Sequence, residues 1–305
     1  ALARVRSDVI FFPAIYSWVP VPARTPQLVT IHDAIPERHP ELLFPRRRNR
    51  LLWSIKTALA RAQARRFLTV SDASANDMVT LMGISRARID QTIEAADPIF
   101  APRSGVDAAA LRSRLGLPAD GPLLLYVGGF NPHKNVLRLL EAITLLDPAE
   151  PVALALVGDT SGEGFHDNLP ALRRWLADRP ALAARVALVG WVADDDLVGL
   201  YSIAAALVFP SLAEGFGLPA VEAMACGCPV LASDRTSLPE VVGDGGLLFA
   251  PDDARSIARS IAQLLGDPVL RATLSERAVR RAALYTWDRS AELVAASLRR
   301  TAGLG

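Results

Sequence analysis

Pro210-Ser211-Leu212-Ala213-Glu214-Gly215-Phe216-Gly217-Leu218-Pro219-Ala220-Val221-Glu222-Ala223-Met224-Ala225-Cys226-Gly227 decides how this 305-residue chain is read. The run before it, Ala204-Ala205-Ala206-Leu207-Val208-Phe209, is short and apolar, as a buried parallel strand is. Pro219 suits the first turn of a helix and Gly227 the position just past its last residue. The stretch therefore predicts a strand, a glycine-bearing turn and a helix. Such a turn presents free backbone N–H groups and the positive end of a helix dipole, and so suits an anion such as a phosphate. Glu214 precedes the helix and Glu222 lies inside it, eight residues on, so both can border one crevice. The glycines taken alone are equally consistent with an ordinary solvated loop.

The same grammar repeats outward from this stretch. Leu123-Leu124-Leu125-Tyr126-Val127 runs into Gly128-Gly129 and a helix from about 135 to 146. Val152 to Val157 ends at Gly158, and Val186 to Val189 ends at Gly190 before a helix from about 195. Pro229-Val230-Leu231-Ala232 is a further strand. Strands alternating with helices at this pitch imply a doubly wound α/β sheet, which binds ligands beyond the carboxyl ends of its strands. Towards the start of the chain, strands are expected at Val9 to Phe12, Leu28 to Ile31, Phe67 to Val70 and Ile89 to Ile93. A helix from about Arg46 to Arg66 carries Leu51, Leu52, Ile55 and Leu59 at helical spacing. A shorter helix runs from Ser74 to Met82. Asp97 to Pro102, with two prolines, reads as a linker between two domains.

Composition narrows the class. Half the residues (51%) are hydrophobic and 21% charged, an ordinary globular balance with length enough for two domains. No apolar run is long enough to span a membrane and no secretory signal opens the chain, so a cytoplasmic protein is expected. Cys226 and Cys228 are the only cysteines and have no nearby His, so they are read as buried fillers rather than metal ligands. Residues 1–102 hold 14 Lys/Arg against 9 Asp/Glu, whereas the rest hold 19 against 23. Eight of the basic residues, and no acidic one, fall between Arg46 and Arg66. That helix is either a solvated face or a contact for an anionic membrane or lipid diphosphate. Nucleic acid is not expected, since no stacking platform accompanies the charge.

Glu-Gly-Phe-Gly-Leu-Pro-x-x-Glu-Ala-Met-Ala-x-Gly resembles the Glu-x7-Glu signature of family 4 retaining glycosyltransferases. The resemblance implies the GT-B fold: two Rossmann-like doubly wound domains facing each other across a cleft, here 1–102 and 103–286, with a terminal helix, 287–305, crossing back to the first. It also implies that the first domain lacks its opening strands. Glu214 is then placed at the donor sugar and Glu222 at the ribose of a sugar nucleotide, with Gly215, Phe216, Gly217 and Leu218 along the sugar and diphosphate.

Tyr126-Val127-Gly128-Gly129-Phe130-Asn131-Pro132-His133-Lys134-Asn135 is similar to the family's diphosphate loop. It puts Phe130 and Lys134 on the donor, but Gly129 stands where an Arg is usual. Gly190, Trp191 and Val192 resemble the loop beside the base, and His32 the histidine that lines the sugar from the other domain. His32, Glu214 and Lys134 are the expected catalytic residues. His133 is a further candidate for the phosphate.

The resemblance as a whole implies a hexosyltransferase using a GDP- or UDP-sugar, leaning to GDP-mannose, with a glycan or lipid-linked glycan as acceptor. No cofactor and no metal are expected. Asp194-Asp195-Asp196 is read as the cap of a helix, not as a metal motif. A nicotinamide enzyme is disfavoured, because no Gly-x-Gly-x-x-Gly follows any strand. A non-catalytic sugar-nucleotide sensor is the alternative.

Overall fold

A computed structural model describes residues 7–21, 24–44, 46–147, 152–161 and 168–304. The chain divides into two compact units. One is made of Ala1–Glu94, Glu214–Phe216 and Tyr285–Gly305, the other of Ala95–Ala213 and Gly217–Leu284. Residues 97–102, read as a linker, group with the second unit.

The first unit is built on four parallel strands, β1 (Ile10–Phe12), β2 (Gln27–Thr30), β3 (Arg66–Thr69) and β4 (Ile89–Gln91), in that spatial order. Leu28 pairs with Arg66 and Phe67 with Ile89. Val29, Ile31, Phe67, Met78 and Trp18 fill its core, and the Trp18 indole N–H donates to Gln27 Oε1 at 3.0 Å. The last helix, Trp287–Ala302, belongs to this unit. Its Ser297 and Arg300 reach the carboxylate of Asp90, which Arg66 also grips, and these donors hold Asp90 below the ordinary carboxylate range despite its burial.

The helix Arg47–Gln63 forms where a helix is expected. Its inward residues are Thr57 and Ala60, with Trp53 partly buried, whereas Leu51, Leu52, Ile55 and Leu59 are 61, 64, 47 and 44% exposed. Small side chains let this helix approach the core closely, so the leucine stripe lies on its outer side.

The second unit carries six parallel strands. They are β5 (Leu123–Val127), β6 (Ala153–Val157), β7 (Val186–Gly190), β8 (Ala206–Phe209), β9 (Val230–Ser233) and β10 (Gly246–Phe249), in the spatial order β10-β9-β8-β5-β6-β7. From β5 the chain first winds one way, through β6 and β7, and then the other, through β8, β9 and β10. The order reverses between β5 and β8, and an open α/β sheet offers its ligand crevice at such a switch. The expected α/β class therefore holds, with two separate parallel sheets. Strand β10 was not foreseen. Its Gly246 is required because a Cβ there would stand 2.1 Å from the Val230 carbonyl oxygen. Among the described residues no helix is long and apolar enough to cross a membrane.

Candidate active site

Both motifs read from the sequence follow the strands at the switch point. The loop after β5 holds Gly128 to Asn135; the loop after β8 holds Pro210 to Gly217. Asn135, in the left-handed region at φ 60°, ties the two: its Nδ2 donates to the carbonyls of Pro210 at 3.1 Å and Pro251 at 2.9 Å. The Leu212 N–H donates to the His133 carbonyl at 2.8 Å. Lys134 lies with its Nζ 5.9 Å from the centre of the Phe209 ring. Lys134 is thereby held at the mouth of the switch by packing against the neighbouring strand.

Gly129, where an Arg is usual, has no room for a larger side chain without movement: a Cβ there would come 2.9 Å from Asn131 Oδ1. Phe130 is buried against Tyr126, ring centres 6.0 Å apart, and its carbonyl accepts from the Asn168 N–H at 2.9 Å. Gly190 takes φ 82° at the end of β7, where a Cβ would strain. Trp191 beside it is 79% exposed, and Val192 is buried.

The helix Leu218–Ala225 follows Gly217, whose φ of 105° is open to glycine and costly to other residues. Pro219 sits in the first turn and Gly227 follows the end at φ 75°, as the sequence implied. At the start of this helix Pro219 has no N–H and the Ala220 N–H donates to the Gly217 carbonyl at 2.9 Å, so the donors that lack an intrahelical acceptor are the N–H groups of Gly217 and Leu218. Glu222 projects from this helix beside Tyr201. The buried Tyr201 hydroxyl lies 3.2 Å from Glu222 Oε2 and 3.3 Å from the Pro219 carbonyl. Burial pushes the Glu222 carboxyl up to about 7; the Tyr201 hydroxyl pulls against this and Asp194 adds to it. Tyr201 was not foreseen, since it is joined to Glu222 only through the fold.

Glu214, Gly215 and Phe216 group with the first unit, at the carboxyl ends of β2, β3 and β4. Ser71 Oγ donates to the Gly215 carbonyl at 2.6 Å, and Ser74 Oγ reaches the same oxygen at 3.2 Å and the His32 carbonyl at 2.8 Å. A Cβ on Gly215 would lie 2.5 Å from the His32 carbonyl oxygen and 3.1 Å from Asp33 Cβ. The glycine is needed for this approach. Phe216 meets Tyr285 edge to face at 5.4 Å. His32 is pushed by burial below its ordinary pKa, Asp33 partly offsetting this, so it is neutral at pH 7 and carries one N–H donor and one acceptor.

Glu94 closes the group. Burial raises its carboxyl to about 7, and the nearby charges of Glu214 and Asp33 add to the effect. His32 and Glu214 thus belong to one unit, with Ser71, Ser74, Asp33 and Glu94 around them. Lys134, Gly190, Trp191, Val192, Gly217, Leu218 and Glu222 belong to the other.

The aspartates at 194–196 occupy the first turn of the helix Asp194–Ile203, but its cap is Ala193 and makes no side-chain bond. The capping reading is therefore corrected. Their charges favour the positive end of the helix, and Asp195 and Asp196 pair with Arg103 and Arg114. Among the described residues no group of His, Cys, Asp and Glu is placed to hold a metal ion. Cys226 and Cys228 are free and buried, and burial raises both thiols to about 12. His133 is buried in its loop.

Glycosyl transferases group 1 match residues 107–281, more than half of the chain and all of the switch-point sheet. The chain belongs to that family. It is 34% identical to O-antigen chain mannosyltransferase B of Escherichia coli over 86% of its own length and 67% of that protein's. It is 29% identical to the E. coli serotype-specific mannosyltransferase WbdA over 96% of its length, spanning only 37% of that relative. A solved structure of Anabaena Alr3699/HepE in complex with UDP-glucose matches 92% of this glycosyltransferase chain and 72% of its own, at TM-score 0.73 and 25% identity.

Proposed function

We propose that this protein transfers a mannosyl group from GDP-mannose to a hydroxyl of a glycan or lipid-linked glycan, with retention at the anomeric carbon and without a metal. The observation that carries the reading is the pairing of two motif loops at the topological switch, one bearing Lys134, the other opening the helix that carries Glu222. The mannosyltransferase relatives favour the sugar; the UDP-glucose complex of the Anabaena protein makes UDP-glucose the rival donor.

In this reading Glu222 accepts hydrogen bonds from the ribose hydroxyls. Lys134 and the N–H groups that open the helix Leu218–Ala225 meet the diphosphate. As the bond from the sugar's C1 to the phosphate oxygen breaks, negative charge grows on that oxygen, and fixed donors there lower the barrier without reorganising. His32 and Glu214 orient the sugar hydroxyls. The acceptor hydroxyl attacks from the face the phosphate leaves, and that phosphate takes its proton.

The test is an assay with GDP-mannose and UDP-glucose, each with a mannose-oligosaccharide acceptor and with EDTA present. Mannosyl transfer that survives EDTA is expected. Glucosyl transfer alone would replace the donor assignment, and nucleotide-sugar binding with neither transfer nor hydrolysis would make the protein a sensor.

The outer stripe of the helix Arg47–Gln63 supports a peripheral contact with an anionic membrane, because exposed leucines there stand beside Arg47 and Arg48. Flotation with phosphatidylglycerol vesicles, and its loss on Leu52→Glu, is the expected result. Equal flotation with neutral vesicles, or none, would remove the membrane from the account.

A further inference from the structure

The inner side of the same helix borders a cavity that the proposed transfer reaction does not use. Arg50, Trp53, Ser54, Thr57 and Arg61 recur at helical spacing along one face. Across from them stand Glu37, Phe44, Leu81 and Met82, with Pro36 and Pro40, around a space of about 240 Å³. Its aromatic wall is fixed. Trp53 stacks at a tilt between Tyr16 and Phe44, with ring centres 5.2 and 6.3 Å away, and its indole N–H donates to Glu37 Oε1 at 2.7 Å.

Two polar atoms here are unfinished. Glu37 Oε2 and Arg61 Nε are both buried with no hydrogen-bond partner among the described residues. Arg61 is anchored otherwise, its Nη1 donating to the Met82 carbonyl. The two side chains feel each other, since the Arg61 charge draws the Glu37 carboxyl down while burial, the larger effect, and Asp33 raise it. Yet neither of these atoms meets a partner. A buried acceptor and a buried donor left open cost free energy that a ligand can recover by satisfying both.

The complement is specific. One hydroxyl that donates to Glu37 Oε2 and another that accepts from Arg61 Nε would satisfy both atoms. An apolar ring face laid on Trp53 and Phe44 completes the match, and a pyranose presents both on one scaffold. A free phosphate would use Arg50 and Arg61 but would meet Glu37 unfavourably. We propose that this cavity is a carbohydrate subsite that seats one pyranose ring of the acceptor glycan, two of its hydroxyls bridging Glu37 and Arg61. The choice of an acceptor glycan rests on the transfer reading; the choice of a hydroxylated ring rests on the cavity alone.

The test titrates the full chain with mannotriose, with inorganic phosphate and with glycerol, followed by saturation-transfer NMR and by calorimetry. Glu37→Gln keeps the shape and removes the charged acceptor. Ser54→Trp, from an exposed position, fills the cavity without touching its anchors. Mannotriose binding is expected to weaken at least tenfold in both variants, with GDP-mannose affinity unchanged, and the KM for mannotriose to rise while donor hydrolysis holds. Binding of mannotriose by a chain that transfers no sugar would sink the transfer reading and leave the subsite standing. Unchanged mannotriose binding in both variants, no mannotriose binding at all, or binding of phosphate in its place would overturn the subsite.

Discussion

Burial draws both Glu94 and Glu222 to a pKa of about 7, with Asp194 adding to it at Glu222, but their neighbours differ. Glu222 has a donor, the Tyr201 hydroxyl at 3.2 Å, so one of its oxygens is oriented and burial has to overcome that bond to raise it. Glu94 is raised by burial and by two like charges, Glu214 and Asp33. An acid oriented by a donor is built to accept further hydrogen bonds from a ligand. An acid crowded by like charges is relieved when a ligand brings hydroxyls or protons into the group. In the proposed reading the two environments serve the two parts of a sugar nucleotide, its ribose and its hexose, and they belong to different units of the chain.

The largest expected effect tests the first half of that comparison. Glu222→Ala removes hydrogen bonds from a charged acceptor, worth roughly 1.5–3 kcal/mol, so nucleotide-sugar Kd should rise about 10- to 100-fold. Glu94→Ala should leave the Kd of the free nucleotide within about twofold and lower turnover. Calorimetry with GDP and a rate assay read both. Equal losses of GDP affinity in the two variants would erase the distinction.

Protonation gives a smaller and sharper reading. Each acid is raised from its ordinary value of 4.5 to about 7, so the folded state holds the proton more tightly than the unfolded chain does. Such a group leaves stability intact below pH 4.5 and removes it as pH rises towards 7. Glu94→Gln and Glu222→Gln should therefore each gain on wild type between about pH 5 and pH 8, by on the order of 1–3 kcal/mol. The difference between variant and wild type is the quantity to follow. His32, held below its ordinary value, runs the opposite way: its stability contribution grows as pH rises through the region of 6.5. Variants whose midpoints track wild type across that range would show that neither acid is raised.

Much of the site is legible in the sequence itself. The strand-turn-helix around Glu214 and Glu222, the glycine at 217 and the lysine at 134 follow from local patterns that packing does not overrule. Strand β10 escaped because Gly246-Leu247-Leu248-Phe249 is short and opens on a glycine whose purpose, clearance from the Val230 carbonyl, is set by a neighbour in space.

The helix Arg47–Gln63 was legible as a helix but not in its facing. Periodicity shows that an apolar stripe exists; it does not say which side packs. Here Thr57 and Ala60 go in because they are small. Glu94, Tyr201 and the pair Ser71 and Ser74 were not legible at all. Each acts on a residue of the site from 21 to 144 positions away in sequence, and no local pattern encodes that.

The smallest effect tests how Gly215 is held. Ser71 uses its hydroxyl twice, donating to the Gly215 carbonyl at 2.6 Å and accepting from the Ser74 N–H at 3.0 Å as the cap of the helix Asp72–Thr80. Ser71→Ala removes both, at a cost of about 1 kcal/mol for the cap. The Gly215 carbonyl keeps Ser74 Oγ at 3.2 Å, a longer bond, so Glu214 is loosened rather than released. Turnover should fall a few-fold with nucleotide affinity unchanged, the reverse of the split expected for Glu222→Ala. Loss of nucleotide affinity in Ser71→Ala would mean that the segment Glu214–Phe216 orders the ribose seat as well as the hexose. Glu214 and Glu222 would then act as one device, and the contrast between an oriented acid and a crowded one would not divide the donor into its two parts.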